Sequence, residues 1–367
     1  MLEQKRNRRT VKSNIKNQIK LICQLFCLAA KVIFSSRSIR FSLLCTIFIW
    51  TVWLTAIGPS RALSNLCANW EFAFTMVFGS MVAGATSMGG GAVAFPALTK
   101  WLHVSPPDAK LFSLAIQSIG MSAASFTIVA MKTKVEWKLI RWVSLGGIPG
   151  IFMGTAFLAP LLPPEVIKIS FTMMISSFAL ILIHLNLTKN ERKFTIEHWG
   201  KREKILSLVV GLMGGIISGL VGSGMDVFAY SVMVLLFGLC EKVSTPTSVI
   251  LMAINAVTGF VIHHFILGDF VTPVSNYWLA AVPVVVVGAP IGAILCSLME
   301  RQMVVWILMS LIGIELLTSL LLIPLTKSVI LAGCLAMILF TSFYYLMYRA
   351  KLRPSSQGVT SIQTVVK

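Results

Sequence analysis

Ten apolar blocks divide the 367-residue chain, near 41–57, 70–102, 109–131, 139–161, 166–187, 205–238, 245–267, 277–299, 303–323 and 328–348. A hydrocarbon layer about 30 Å thick is crossed by roughly 20 helical residues, so such blocks along nearly the whole chain specify an all-α polytopic membrane protein. No interval between them is long enough for a separate soluble domain. Composition agrees, with 12% charged residues and a mean hydropathy of +0.86. The formal net charge of +18 would suit a nucleic-acid binder. The basic residues, however, flank apolar spans without interleaved aromatics, which is the pattern of cytoplasmic loops. The lipid bilayer is therefore the expected partner, and nucleic acid is not. The seven cysteines form no CxxC pair, and no His, Cys or acidic cluster stands at ligand spacing, so neither a metal nor another cofactor is expected.

Two blocks are too long for one ordinary crossing. Blocks 70–102 and 205–238 would run about 50 Å as straight helices. Each carries a glycine cluster partway along, Gly89-Gly90-Gly91 in the first and Gly222-Ser223-Gly224 in the second. At an offset of 135, Gly79, Gly84, Gly89 and Ala94 fall on Gly214, Gly219, Gly224 and Ala229, and Ser113 falls on Ser248. Past the next connection an offset of 138 places Gly150 and Gly154 on Gly288 and Gly292. The change of three falls where insertions are tolerated. The core thus reads as two repeats, 70–188 and 205–323. Before them come a basic cytoplasmic tail with an interfacial helix (1–40) and a first crossing with an outer loop (41–69). A basic cytoplasmic linker (189–204) separates the repeats. A last crossing (324–348) and a cytoplasmic tail (349–367) follow.

Charge predicts how the long blocks run. As single crossings, they would leave the connections 132–141 and 189–204, rich in Lys and Arg, outside the cell, against the positive-inside tendency. If each long block instead enters and leaves on one face as a re-entrant hairpin, both connections and both termini become cytoplasmic. A hairpin plus three crossings is an odd number of traverses, so the second repeat is inverted relative to the first. The expected fold is eight crossings and two broken-helix hairpins, an arrangement common to secondary transporters.

A helix break at bilayer depth frees backbone groups that lipid cannot satisfy. It also presents the N-terminus of the next half-helix, whose free N–H groups and partial positive charge suit an anion. Glycine lets a guest approach the backbone. The candidate anion-binding residues at the breaks are Thr86, Ser87, Met88, Gly89, Gly90 and Gly91 in the first and Gly222, Ser223 and Gly224 in the second. Ser113, Gln117, Ser248 and Asn255, on the crossings that follow, are candidate cavity-lining donors. Gly150, Gly154, Gly288 and Gly292 read as helix-packing positions. Two carboxylates fall deep inside apolar blocks, Asp226 and Glu315. An intramembrane carboxylate is a functional candidate by default. Asp226 reads as a cap of the second half-helix or as the carrier of a coupling proton or Na⁺. Ionised, it would repel an anion beside it, and protonation removes the conflict. Glu315 reads as a packed polar contact.

The stretch GSMVAGATSMGGGAVAFPALTKWLHVSPPDAK, beginning at Gly79, resembles the first signature of the TauE/SafE sulfite exporter family, and GGIISGLVGSGMDVFAYSVMVLLFG, beginning at Gly214, resembles its repeat. The resemblance covers about 70–325. It implies secondary transport of small sulfur-containing anions, of the sulfite, sulfonate or thiosulfate class, across the cell membrane. The second repeat departs from the first: Met225-Asp226 stand where repeat one has Gly90-Gly91, and Ser231 stands opposite Pro96. Two other classes stay open. One is a passive anion channel. The other is an intramembrane serine protease using Ser223 with His263 or His264; against it, the tandem repeats go unexplained, so no enzymatic role is expected. Substrate identity, direction, coupling ion and oligomeric state are not legible.

Overall fold

A computed structural model describes residues 37–89, 97–187, 192–197 and 199–352. Of the tail and interfacial helix expected at 1–40, residues 1–36 lie outside these residues, as do Gly90, Gly91, Pro96, His198 and the tail beyond 352. All regular structure described is helical. Twelve helices follow in order: α1 (Arg37–Ile57), α2 (Pro59–Ala68), α3 (Trp70–Ala85), α4 (Pro106–Ala130), α5 (Trp137–Met153), α6 (Pro164–Leu187), α7 (Lys201–Val221), α8 (Met225–Leu235), α9 (Glu241–Val261), α10 (Val274–Leu298), α11 (Arg301–Leu322) and α12 (Lys327–Leu352). Wider turns extend α5 through Leu158 and α9 through Leu267. Among the described residues nine helices are long and apolar enough to cross a bilayer: α1, α4 to α7 and α9 to α12. Their burial separates centre from rim: 72% of the apolar window of α4 is buried, against 11% for α1 and 17% for α12. Large apolar side chains such as Phe48, Leu331 and Ile338 stand exposed on the rim, as lipid contact requires.

The residues expected to form an outer loop after the first crossing form α2 instead. Gly58, at φ 84°, ends α1, and Pro59 takes the first helical turn, where its missing N–H costs nothing. The helix then bends by 83° into α3. Asn65 on α2 donates to the Asn276 carbonyl, and Phe72 on α3 stacks on Tyr277 at 3.8 Å between ring centres.

The two ends of the molecule can be told apart by their contacts. At one, the Asp269 end, the start of α3 shares an apolar cluster with Leu98, Val104, Phe112 and Val274. At the other, the Glu241 end, the linker before α7 pairs with the segment just after α8: Lys193 N–H donates to the Gly238 carbonyl, and Cys240 N–H to that of Lys193. Glu136, between α4 and α5, is tied to this end through Thr247 and the Ile196 N–H. The two connections rich in Lys and Arg thus lie together.

A buried ion cluster closes the Glu241 end. Glu241, fully buried, pairs with Arg192 at 3.0 Å and Arg301 at 3.5 Å, and Arg301 donates to Asn186. Four segments meet there: the end of α6, the linker, the start of α9 and the start of α11. A charge buried this deep is tolerated only with such partners.

Small residues set the helix spacing. On α5 and α7, Gly146, Gly150 and Gly154 face the backbone of Leu208, Leu212 and Ile216, while Gly211, Gly215 and Gly219 face that of Val143, Gly147 and Ile151. On α3 and α10, Gly84 faces the Ala289 carbonyl and Gly292 faces Met81 and Ala85. A Cβ at any of these positions would overlap backbone atoms, so the helices approach as closely as they do only because these residues are glycine. Gly150, Gly154 and Gly292, read from sequence as packing positions, are among them, and the fourth, Gly288, lies against the Ser80 side chain.

Candidate functional site

The second interruption separates α7 from α8. Gly222 ends α7 in the left-handed conformation at φ 92°, and Gly224 precedes α8 at φ 137°. Side chains there would be strained, and a Cβ on Gly224 would also press on Ile217 and Phe171. The front donors of α8 are engaged within the chain. The Ser218 hydroxyl accepts from Met225 N–H at 3.0 Å, and Asp226 Oδ1 accepts from Gly224 N–H at 2.9 Å. The N–H groups of Asp226 and Val227 also point at that carboxylate. Asp226 thus sits in the anion seat of its own half-helix, favoured by the local positive potential. Its other oxygen, Oδ2, is buried and has no hydrogen-bond partner among the described residues.

The first interruption begins where α3 ends at Ala85. The Thr86 hydroxyl donates to the Val82 carbonyl at 2.9 Å and accepts from Met88 N–H at 3.4 Å, so it shapes the turn. Ser87 is 2% exposed, and its Oγ has no partner among the described residues. Met88 packs into the main apolar cluster with Met121, Met225 and Met252. Gly89 is left-handed at φ 67°.

The two interruptions meet. A Cβ placed on Gly89 would lie 3.3 Å from Asp226 Oδ2 and against the end of the Met252 side chain. Beside this junction is a cleft lined by Gln117, Gly222, Ser223, Asp226, Met252 and Asn255. It is too narrow for a water-sized sphere. Asn255, 5% exposed, leaves its Oδ1 without a partner. Gln117 donates to Ser113 Oγ at 2.6 Å, one turn back on α4, so Ser113 reaches the cleft only through Gln117. Ser248 donates to the Thr245 carbonyl one turn back on α9 and does not line the cleft. His263 is held by Asp269 at 2.9 Å, at the end of the molecule named for that carboxylate. Glu315 forms a buried ion pair with Lys168 and accepts from Ser319 Oγ.

Sequence reasoning passed over Ser218 and Lys168. Ser218 lies one turn before Gly222, where a hydroxyl can reach around a broken helix end, and that spacing was a usable signal. Lys168 pairs with a residue 147 positions away, and nothing local announces it.

Broken apolar helices, a junction of unpartnered polar groups and nine candidate spans define a multi-pass membrane protein of the transporter class. The chain belongs to the sulfite exporter TauE/SafE family, whose model matches residues 72–316. Membership places it broadly among membrane transporters of sulfur-containing anions. No individually curated protein matches the chain, and neither does any solved structure.

Proposed function

We propose that the protein is a secondary carrier of a small sulfur oxyanion, of the sulfite, sulfonate or thiosulfate class, and that the anion is held where the two helix interruptions face one another. The observation that carries this reading is the approach of Gly89 to Asp226 Oδ2, which has no partner among the described residues, beside the cleft that Asn255 lines with an Oδ1 in the same state. Buried polar groups are otherwise nearly always bonded, and several orphans in one place suit a guest. The anion seat is the glycine-rich sequence from Thr86 to Gly91, of which Thr86 to Gly89 form the described turn. Asp226 is the coupling residue: with its carboxyl protonated, Oδ2 donates to the anion while Oδ1 stays on Gly224. Anion and proton then occupy the junction together, and neither does so alone.

The inverted-repeat architecture belongs to the same reading. It is supported by reciprocal packing, the first arm of each hairpin lying on the second crossing of the other repeat: α3 on α10, and α7 on α5. Contacts at the Asp269 end for the first hairpin and the Glu241 end for the second support opposite points of insertion. With the two basic connections cytoplasmic, the Glu241 end faces the cytoplasm and carries both termini. The hold of Asp269 on His263, away from the cleft beside Ser223, favours a carrier over a protease.

The test is flux of sulfite, thiosulfate, a simple sulfonate and sulfate into sealed liposomes, with and without an imposed pH gradient. A proton-coupled carrier concentrates one of the sulfur anions only when the gradient is present. Flux that merely equilibrates and ignores the gradient identifies a channel. No flux of any of the four overturns the reading.

A further inference from the structure

Two cavities flank the junction, one toward each end of the molecule, and their linings correspond under the offsets that relate the repeats. The larger, about 420 Å³, lies toward the Asp269 end and is lined by Pro107, Lys110, Ala159 and Leu220. The smaller, about 210 Å³, lies toward the Glu241 end and is lined by Lys242, Thr245, Ser297 and Gly84. Pro107 and Lys110 lie 135 positions before Lys242 and Thr245, Ala159 lies 138 before Ser297, and Leu220 adjoins Gly219, the counterpart of Gly84. Matched walls at opposite ends are what two mouths of one path require.

The lysines at the two mouths are in different states. Lys242 closes the smaller one: its ammonium donates to the carbonyls of Ser297 and Met299 and ties the start of α9 to the end of α10. Lys110, on the wall of the larger, has no hydrogen bond or ion pair among the described residues. The charge of Asp269 reaches it, but that carboxylate is bonded to His263. The other charged groups on the wall are Lys168, which is paired with Glu315, and the exposed Glu165. Lys110 also stands directly over the second interruption, since a Cβ on Gly222 would meet its carbonyl oxygen. The cavity is wide enough for a hydrated oxyanion, and the junction beneath it is not.

We propose that the cavity around Lys110 is a second, peripheral anion subsite. Lys110 captures the sulfur oxyanion there before it passes to the junction, and the Lys242 latch keeps the opposite mouth shut meanwhile. This rests on the carrier reading, and it adds a residue and a place that the junction itself does not contain.

The test uses the full chain in liposomes. A cysteine replaces Ile167 on the cavity wall, and the seven native cysteines, Cys67 and Cys334 exposed among them, are replaced by serine or alanine. Labelling rates are compared for a sulfonate-bearing and an ammonium-bearing thiol reagent of equal size. The Lys110→Gln change lowers the anionic-to-cationic rate ratio by about tenfold, the scale of one unscreened charge at close range. Lys110→Arg keeps the ratio. Transport kcat/KM falls with Lys110→Gln by a similar factor in both directions, as reversibility demands, and recovers with Lys110→Arg. A ratio and kcat/KM both unmoved by Lys110→Gln overturn the subsite and leave the carrier intact. A ratio that falls in a protein with no sulfur-anion flux overturns the carrier reading instead, and with it the capture of a transported anion. A purely structural lysine would lower flux through misfolding without changing the ratio of the two reagents.

Discussion

The two helix interruptions occupy corresponding places in the chain but solve their backbone problem differently. At the second, the protein brings its own anion and hydroxyl: Asp226 and Ser218 take up the front donors of α8. At the first, the described turn has a hydroxyl spent on shaping it, Thr86, and another with no partner, Ser87. The second is thus satisfied from within the chain, while at the first Ser87 finds no partner among the described residues. Duplicated segments need not keep duplicated chemistry. One break carries a protonatable carboxyl where the other carries glycine. A pair of glycine-only breaks would bind an anion without any means of tying it to a proton.

The sharpest way to break this comparison is to remove the carboxylate. Asp226→Ala orphans the donors of α8, so uptake disappears and stability falls by about 1–3 kcal/mol per unpaired group. Asp226→Asn keeps the acceptor on Gly224 but cannot carry a proton. It should retain thermal stability in detergent while losing gradient-driven accumulation. Accumulation at the wild-type level in Asp226→Asn would remove the carboxyl from the coupling step.

Next in size is the pair of left-handed glycines. Gly224→Ala places a Cβ against Ile217 and Phe171 in strained backbone, for a loss of about 2–4 kcal/mol. Gly89→Ala meets chiefly the movable end of Met252 and should cost about 1–2 kcal/mol. Its effect on transport is the larger of the two relative to its effect on stability. Melting temperatures and uptake measured side by side would show this, and equal losses on both scales would erase the distinction between the breaks.

The smallest and cleanest contrast is between the serines. Ser218→Ala removes the acceptor of Met225 N–H and should destabilise by about 1–3 kcal/mol. Ser87→Ala removes a hydroxyl with no partner among the described residues, so the melting temperature stays level while KM for the anion rises several-fold. If Ser87→Ala instead melts early with an unchanged KM, Ser87 is a structural residue and the first break loses a donor.

Much of the fold was legible because lipid imposes it. Apolar runs of fixed length, glycine pairs at four-residue spacing and clustered Lys and Arg are local patterns, and α3 and α12 begin within a residue or so of the blocks read for them. The breaks were legible for a related reason, since glycine clusters inside apolar blocks are expensive without a purpose. The helix α2 was not: its weakly apolar sequence is held by Asn276 and the bend into α3, both partners in space. Nor were the Arg192–Glu241–Arg301 cluster and the Lys168–Glu315 pair, which join residues 49 to 147 positions apart.

By itself the amino-acid order determined that this chain crosses a membrane many times, that two of its segments are interrupted, and that one interruption carries an acid. Those properties follow from length, hydropathy and the conformational freedom of glycine, each a matter of neighbours along the chain. Only the tertiary structure decided that the interruptions touch, that Asp226 accepts from the front of its own helix while turning its other oxygen toward Gly89, and that Lys110 has no bond among the described residues where Lys242 is latched. Those are distances between atoms far apart in sequence, set by how closely glycine-lined helices can pack, and no local pattern encodes them.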